Sequence, residues 1–94
     1  MTAPLISVVL PVRNAAKTVE RAARSILQSS FKEIELVVID DGSTDGSSDI
    51  IRKISDSRLR LFQQGKEGIC AAANRGTAEA HASVIARMDA DDFS

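Results

Sequence analysis

Two acidic clusters carry most of the chemical promise of this chain: Asp40-Asp41 in "VVIDDGSTDGS" and Asp89-Ala90-Asp91-Asp92 in "RMDADDFS". Carboxylates accept hydrogen bonds from ligand donors such as a base imide N–H or ribose hydroxyls. They also hold oxygen-seeking divalent cations: Mg2+ and Mn2+ take one or two carboxylates and keep places for phosphate and water. Asp89 and Asp91 are two apart, so in an extended chain they leave the same face and form a candidate metal anchor. Read alone, each cluster also has an ordinary explanation. "DDGSTDG" is built from turn and cap formers, and "DADD" can be a solvated acidic turn. A third stretch, "QQGKEGICAAANRG", places glycines before a helix. Backbone N–H groups there, with Gly68 at the turn and Lys66 beside it, could face a phosphate, although this is no Walker A sequence.

These residues need elements to position them. Four apolar runs, "LISVVLPV" (5–12), "IELVVID" (34–40), "RLRLFQ" (58–63) and "SVIARMD" (83–89), read as strands. The first two are nearly continuous, as in a parallel sheet covered on both faces. The third alternates Leu and Arg and belongs nearer an edge. Between the runs the period turns helical. Val19, Ala22, Ala23, Ile26 and Leu27 mark one face of a helix from about Ala16 to Ser29, with Asn14 placed to supply its N-cap oxygen. Ile50, Ile51 and Ile54 mark a second helix after the cap-rich "GSTDGSSD". Ile69, Ala72, Ala73 and Ala80 mark a third, whose small residues allow close packing on the sheet. The order β-α-β-α-β-α-β predicts an α/β fold, a doubly wound, mostly parallel, Rossmann-like sheet. In such a sheet the segments that follow the strands emerge on one edge, where ligands bind. The topology therefore gathers Arg13, Asn14, Asp41, Ser43, Lys66 and the 89–92 cluster on one rim. Beside "DDGS", the metal-anchor reading of "DADD" gains, because clustered carboxylates left unneutralised repel one another.

The bulk numbers narrow the class. The chain has 94 residues, 44% hydrophobic and 27% charged, with net charge -1, which argues against a general nucleic-acid or anionic-membrane binder. No apolar run approaches the ~20 residues of a membrane span. The first residues show no basic leader or cleavage site, and a lone Cys70 fits a reducing compartment, so a cytoplasmic location is expected, with membrane association left open for a longer protein. Cys70, His81 and Met88 read as a helix-face residue, a structural histidine and a core residue. The last strand has no helix after it. The chain therefore reads as an N-terminal portion of a domain, and the uncovered strand as a surface for self-association.

Taken together, "SVVLPVRNAAKTVERAARSIL", "IELVVIDDGSTDGSSDII", "GICAAANRG" and "ARMDADD" resemble the family 2 glycosyltransferases, inverting enzymes of the GT-A fold, from about Leu5 to Phe93. The resemblance implies a nucleotide-sugar-binding half-domain. Pro11, Val12, Arg13 and Asn14 would line the nucleotide pocket, Asp41 would contact the base, and Ser43, Gly68 and Asn74 would join the nucleotide-binding set. "DADD" would be the family's DXD motif, with Asp89 near the donor ribose or sugar and Asp91 on the Mg2+ or Mn2+ ion at the diphosphate. The donor would be a UDP- or GDP-type sugar. Arg13 stands where relatives often carry Tyr, and its planar guanidinium can still stack on a base. Ala73 stands where the helix motif commonly has Arg, so that arginine is either missing or replaced in its role by Arg75. The family's catalytic base lies well past its DXD motif, which here means beyond Ser94. No residue of the chain is therefore assigned as base, and these 94 residues alone are expected to be inactive. The rival reading is a non-catalytic nucleotide-binding or self-association module of the same fold.

Overall fold

The computed structural model describes residues 4–28 and 33–88. Its elements run β1 (Ile6–Val12), α1 (Val19–Leu27), β2 (Ile34–Asp41), α2 (Ser47–Arg52), β3 (Leu59–Gln64), α3 (Ile69–Glu79) and β4 (Val84–Arg87). The four strands form one sheet in the order β3-β2-β1-β4, and every pairing is parallel. This is the α/β, doubly wound arrangement that the alternation predicts.

The two near-continuous apolar runs occupy the centre. All of β2 is buried, as is β1 apart from its first residue. Alternation then assigns the faces. Val8, Leu10, Val12, Leu36 and Val38 pack against α1 and α2, whereas Val37 and Ile39 pack against Ala72 of α3. The predicted stripe of α1, Val19, Ala22, Ala23, Ile26 and Leu27, is buried throughout. The helix itself begins later than expected. Residues 16–18 form a turn in which Ala15 C=O accepts from Thr18 and Val19 N–H. Thr18, not Asn14, is at the cap position, and it makes no side-chain cap bond.

β3 is an edge strand, as its alternation predicts. Leu59 and Leu61 pack on the α1/α2 core. Arg60 and Phe62 turn to the α3 face, where Phe62 lies between the Arg60 and Arg75 guanidinium groups at 5.1 and 5.5 Å. Arg75 also donates to Gln63 C=O at 3.0 Å, so it serves the edge of β3. β4 forms the other edge and is exposed along its length, with Val84 at 56% and Ile85 at 40%. Among the described residues no helix is long and apolar enough to cross a membrane.

Candidate functional site

The strand order reverses direction in sequence between β1 and β4, which makes that junction the topological switch point, and its carboxyl edge is where open α/β sheets place ligands. A cleft of about 560 Å³ opens there. Pro11, Arg13, Asn14 and Lys17 line it from the end of β1 and the loop that follows. Ile69 enters from the start of α3 and Arg87 from the end of β4. Among the described residues, three cationic side chains against the one carboxylate of Asp45 make this wall attractive to phosphate.

The floor of the cleft is held by a lacing of two loops. Asn14 adopts a left-handed backbone at φ 51°, which Asn tolerates better than most residues. Its N–H donates to Ser43 Oγ at 2.9 Å, and its Oδ1 accepts from Thr44 N–H at 2.8 Å and Thr44 Oγ1 at 3.3 Å. The next two amides are taken in turn: Ala15 N–H donates to Ser47 Oγ and Ala16 N–H to Asp45 Oδ2, both at 3.0 Å. Ser47 Oγ donates onward to Asp45 Oδ1 at 2.5 Å, and Ser43 N–H donates to Asp40 Oδ1 at 3.0 Å. The polar run expected to cap α2 therefore works mainly across the gap, satisfying backbone donors ahead of α1. The cap position of α2 is Gly46, in left-handed backbone without a side-chain cap bond. The Ser47 hydroxyl and the Ala16 N–H hold the Asp45 carboxyl below its ordinary value.

Asp41 faces the other way. Its side chain is fully buried on the α3 side of β2. Oδ1 accepts from Gln64 Nε2 at 2.9 Å and Glu67 N–H at 2.8 Å, and Oδ2 accepts from Gly68 N–H at 2.9 Å. The Gly68 amide, expected to face a phosphate, is thus given to a buried carboxylate that requires donors. Gly68 sits at φ 105° at the cap of α3, a conformation that favours glycine. Burial opposes the Asp41 charge, but Gln64, these amides and the nearby Arg13 outweigh it and lower its pKa. Of the remaining predicted site residues, Val12 turns into the core and can offer a ligand only its backbone. Asn74 is exposed on α3, and the lining of the cleft does not include it. Asp89 and Asp91, with the rest of the chain to Ser94, lie outside the described residues. Among the described residues no three His, Cys, Asp or Glu side chains converge as a metal-holding group. Sequence reasoning missed Lys17, Asp45, Ile69 and Arg87 as cleft residues. Arg87 carried a signal, its place directly before "MDADD", and Asp45 lay within "DDGSTDGS".

A third group of contacts sits at the opposite end of the sheet. The buried Glu35 accepts from Ser7 Oγ at 2.5 Å, Arg60 Nη1 at 3.0 Å and His81 N–H at 2.5 Å. Burial works against its charge, and the His81 amide, Ser7 and Arg60 lower its pKa below the ordinary 4.5. Asp56 is lowered by Arg58, which donates to it through the backbone and guanidinium. These shifts set a pH prediction. A carboxylate whose pKa is depressed by folding stabilises fully above its unfolded value and loses that contribution as pH falls through the folded one. The melting temperature should stay level from pH 7 down to the ordinary values of 3.8 and 4.5, then fall steeply below them. Thermal melts in a pH series check this; a melting temperature unchanged between pH 6 and pH 3 would contradict it.

A four-stranded parallel α/β sheet in this order is the Rossmann-like arrangement that the GT-A glycosyltransferases share. The particular membership follows from comparison: the glycosyl transferase family 2 model matches residues 7–94, and the chain belongs to that family. An uncharacterized glycosyltransferase of Haemophilus influenzae is 43% identical over 96 residues, covering 99% of this chain and 38% of that protein. The mannosyltransferase PcManGT from Pyrobaculum calidifontis, solved with GDP-Man and Mn2+, superposes with a TM-score of 0.86 at 26% identity, covering 97% of this chain and 28% of that one. Glucosyl-3-phosphoglycerate synthase from Mycobacterium tuberculosis, solved with Mn2+, UDP and glucosyl-3-phosphoglycerate, gives 0.74 at 27% identity, covering 93% and 33%. The chain thus spans roughly a third of the length of these relatives.

Proposed function

We propose that this chain is the donor-binding portion of a glycosyltransferase that moves a sugar from a nucleotide diphosphate sugar to an acceptor hydroxyl, with inversion. The observation that carries the reading is the cationic cleft at the β1/β4 switch point in a chain of this family. Arg13 is exposed at its mouth and can stack on a base, while Lys17 and Arg87 suit the diphosphate. Asp41 acts on donor binding through the loop it holds.

Two of the solved neighbours are complexes with Mn2+ and GDP-Man or UDP, which supports a divalent ion, Mn2+ or Mg2+, here. Asp89 and Asp91 are the residues to hold it. They are hard oxygen donors, and they follow a strand whose Met88 N–H is fixed to Val9 C=O at 3.0 Å beside the cleft. When bound, such an ion supplies Lewis-acid stabilisation of the departing diphosphate.

Titration calorimetry of the 94-residue chain with UDP and GDP, in Mn2+ and in EDTA, tests this. Binding is expected in Mn2+, weaker binding in EDTA, and a further loss in Arg13→Ala. No heat from either nucleotide would defeat the reading. The same chain should show no transfer from UDP- or GDP-sugars, because none of its residues up to Ser94 is assigned as base; measurable turnover would overturn that.

A further inference from the structure

We infer that Glu35 is a positioning residue for the cleft: from the far end of the sheet it fixes the α3–β4 connection, and with it the register of the strand that delivers Arg87 to the cleft wall. The functional half of this inference rests on reading the cleft as the donor site.

β4 needs such an anchor. It has four described residues, all exposed, and among the described residues it pairs with β1 alone. Register is strongly specified where one face of a strand is buried and weakly specified where neither is. Val84 and Ile85, successive residues on opposite faces, are both exposed, so burial discriminates poorly between the observed register and a slip by one. The polar contacts at the start of the strand discriminate well. His81 N–H donates to Glu35 Oε2 at 2.5 Å, and Ala82 N–H donates to Ser7 Oγ at 3.0 Å. Ser7 Oγ in turn donates to Glu35 Oε2, and Ser7, Glu35 and Ala82 are all buried.

Arg60 braces the carboxylate from β3 and also donates to Glu79 C=O at 2.8 Å, holding the last turn of α3 in place. His81 Nδ1 lies 3.3 Å from Glu35 Oε1. A one-residue slip would carry both amides away and leave the Ser7–Glu35 pair short of donors where water does not replace them. It would also move β4 along β1 by about 3.3 Å and turn Arg87 to the opposite face. Glu35 therefore acts on the cleft through a strand about 13 Å long rather than by touching a ligand.

Residue-resolved amide hydrogen exchange, paired with UDP–Mn2+ and GDP–Mn2+ titrations, tests the inference on the wild-type chain, Glu35→Gln and Ser7→Ala. Glu35→Gln keeps the volume and exchanges one acceptor oxygen for a donor. Ser7→Ala removes only the hydroxyl and guards against a Glu35 variant that does not fold. Both should speed exchange of the β4 amides and of Met88 N–H at least tenfold beyond any change in the β1–β2 and β2–β3 amides, and weaken nucleotide binding severalfold. Equal acceleration across all strand pairs, or none in β4, would overturn the anchoring. A loosened β4 with wild-type nucleotide affinity would overturn the positioning role. A wild-type chain that binds no nucleotide defeats the donor-site reading and the functional half with it, while the exchange pattern still decides whether Glu35 anchors β4.

Discussion

Replacing Asp41 with alanine is expected to lower the melting temperature by more than about 10 °C, from a loss of about 2–4 kcal/mol, and to weaken nucleotide binding at the cleft at least tenfold. The carboxylate is fully buried and satisfies three donors: the Gln64 amide and the backbone N–H groups of Glu67 and Gly68. Each buried donor left unsatisfied costs about 1–3 kcal/mol. The sum would exceed the expected loss, but Glu67 and Gly68 are exposed residues, and water entering the gap can replace part of what is removed. The loop that these bonds hold leads directly into Ile69 of the cleft wall, which is why affinity should fall with stability. Asp41→Asn separates shape from charge. It fills the site and keeps one acceptor oxygen, but its NH2 group would confront a donor, so a loss of about half that of Ala is expected. An Asp41→Ala chain with wild-type melting temperature and affinity would sink the role assigned to this carboxylate.

Regular elements were legible in the sequence because burial imposes periodicity. The five apolar positions of α1 and the continuous runs of β1 and β2 identify their faces without further information. The polar chemistry was legible only in location. Asn14 and Thr44 lie 30 residues apart, and nothing local says that they meet. Their meeting is set by the register that pairs Val12 with Asp40. For the same reason "DDGSTDGS" read as turns and caps, whereas Asn14, Ala15 and Ala16 use its side-chain oxygens as acceptors. Glu35 drew no reading from the sequence, and the Leu/Arg alternation that includes Arg60 placed β3 only nearer an edge. Each resolves once Arg60 is seen opposite Val37, on the α3 face that also carries Glu35.

One consequence is visible only in three dimensions. Glu35 and Asp41 stand near the two ends of β2 on the same face, with Val37 and Ile39 between them. Asp41 holds the segment that enters α3, and Glu35 holds the segment that leaves it. One helix is thus tied at both ends to one central strand, and its two connections supply Ile69 and β4 to the cleft. Protonation of Glu35 and Asp41 at low pH should therefore loosen α3 and β4.

Between those ties, Gly76→Leu is expected to destabilise the chain by about 3 kcal/mol or more, and Gly76→Ala by up to about 2 kcal/mol. Alanine is the informative case because two effects of opposite sign compete. Helix propensity favours Ala over Gly by about 1 kcal/mol in a helix interior. Against that, a Cβ at this position would run into Val9 Cγ1, with Ile39 Cγ1 and Val9 Cβ each 3.3 Å away. Both neighbours belong to the central strands and are essentially fully buried, Val9 at 1% and Ile39 at 0%, so neither can swing aside. Overpacking a well-filled core typically costs about 1–3 kcal/mol, and with no yielding neighbour it should outweigh the propensity gain. Relief requires α3 to lift from the sheet, which strains both carboxylate ties and withdraws Ile69 from the cleft. Thermal melts of the two variants, with nucleotide titration of the folded Gly76→Ala chain, check the expectation. A Gly76→Ala chain that melts higher than wild type would show that propensity wins and that α3 does not pack as closely as Gly76 requires.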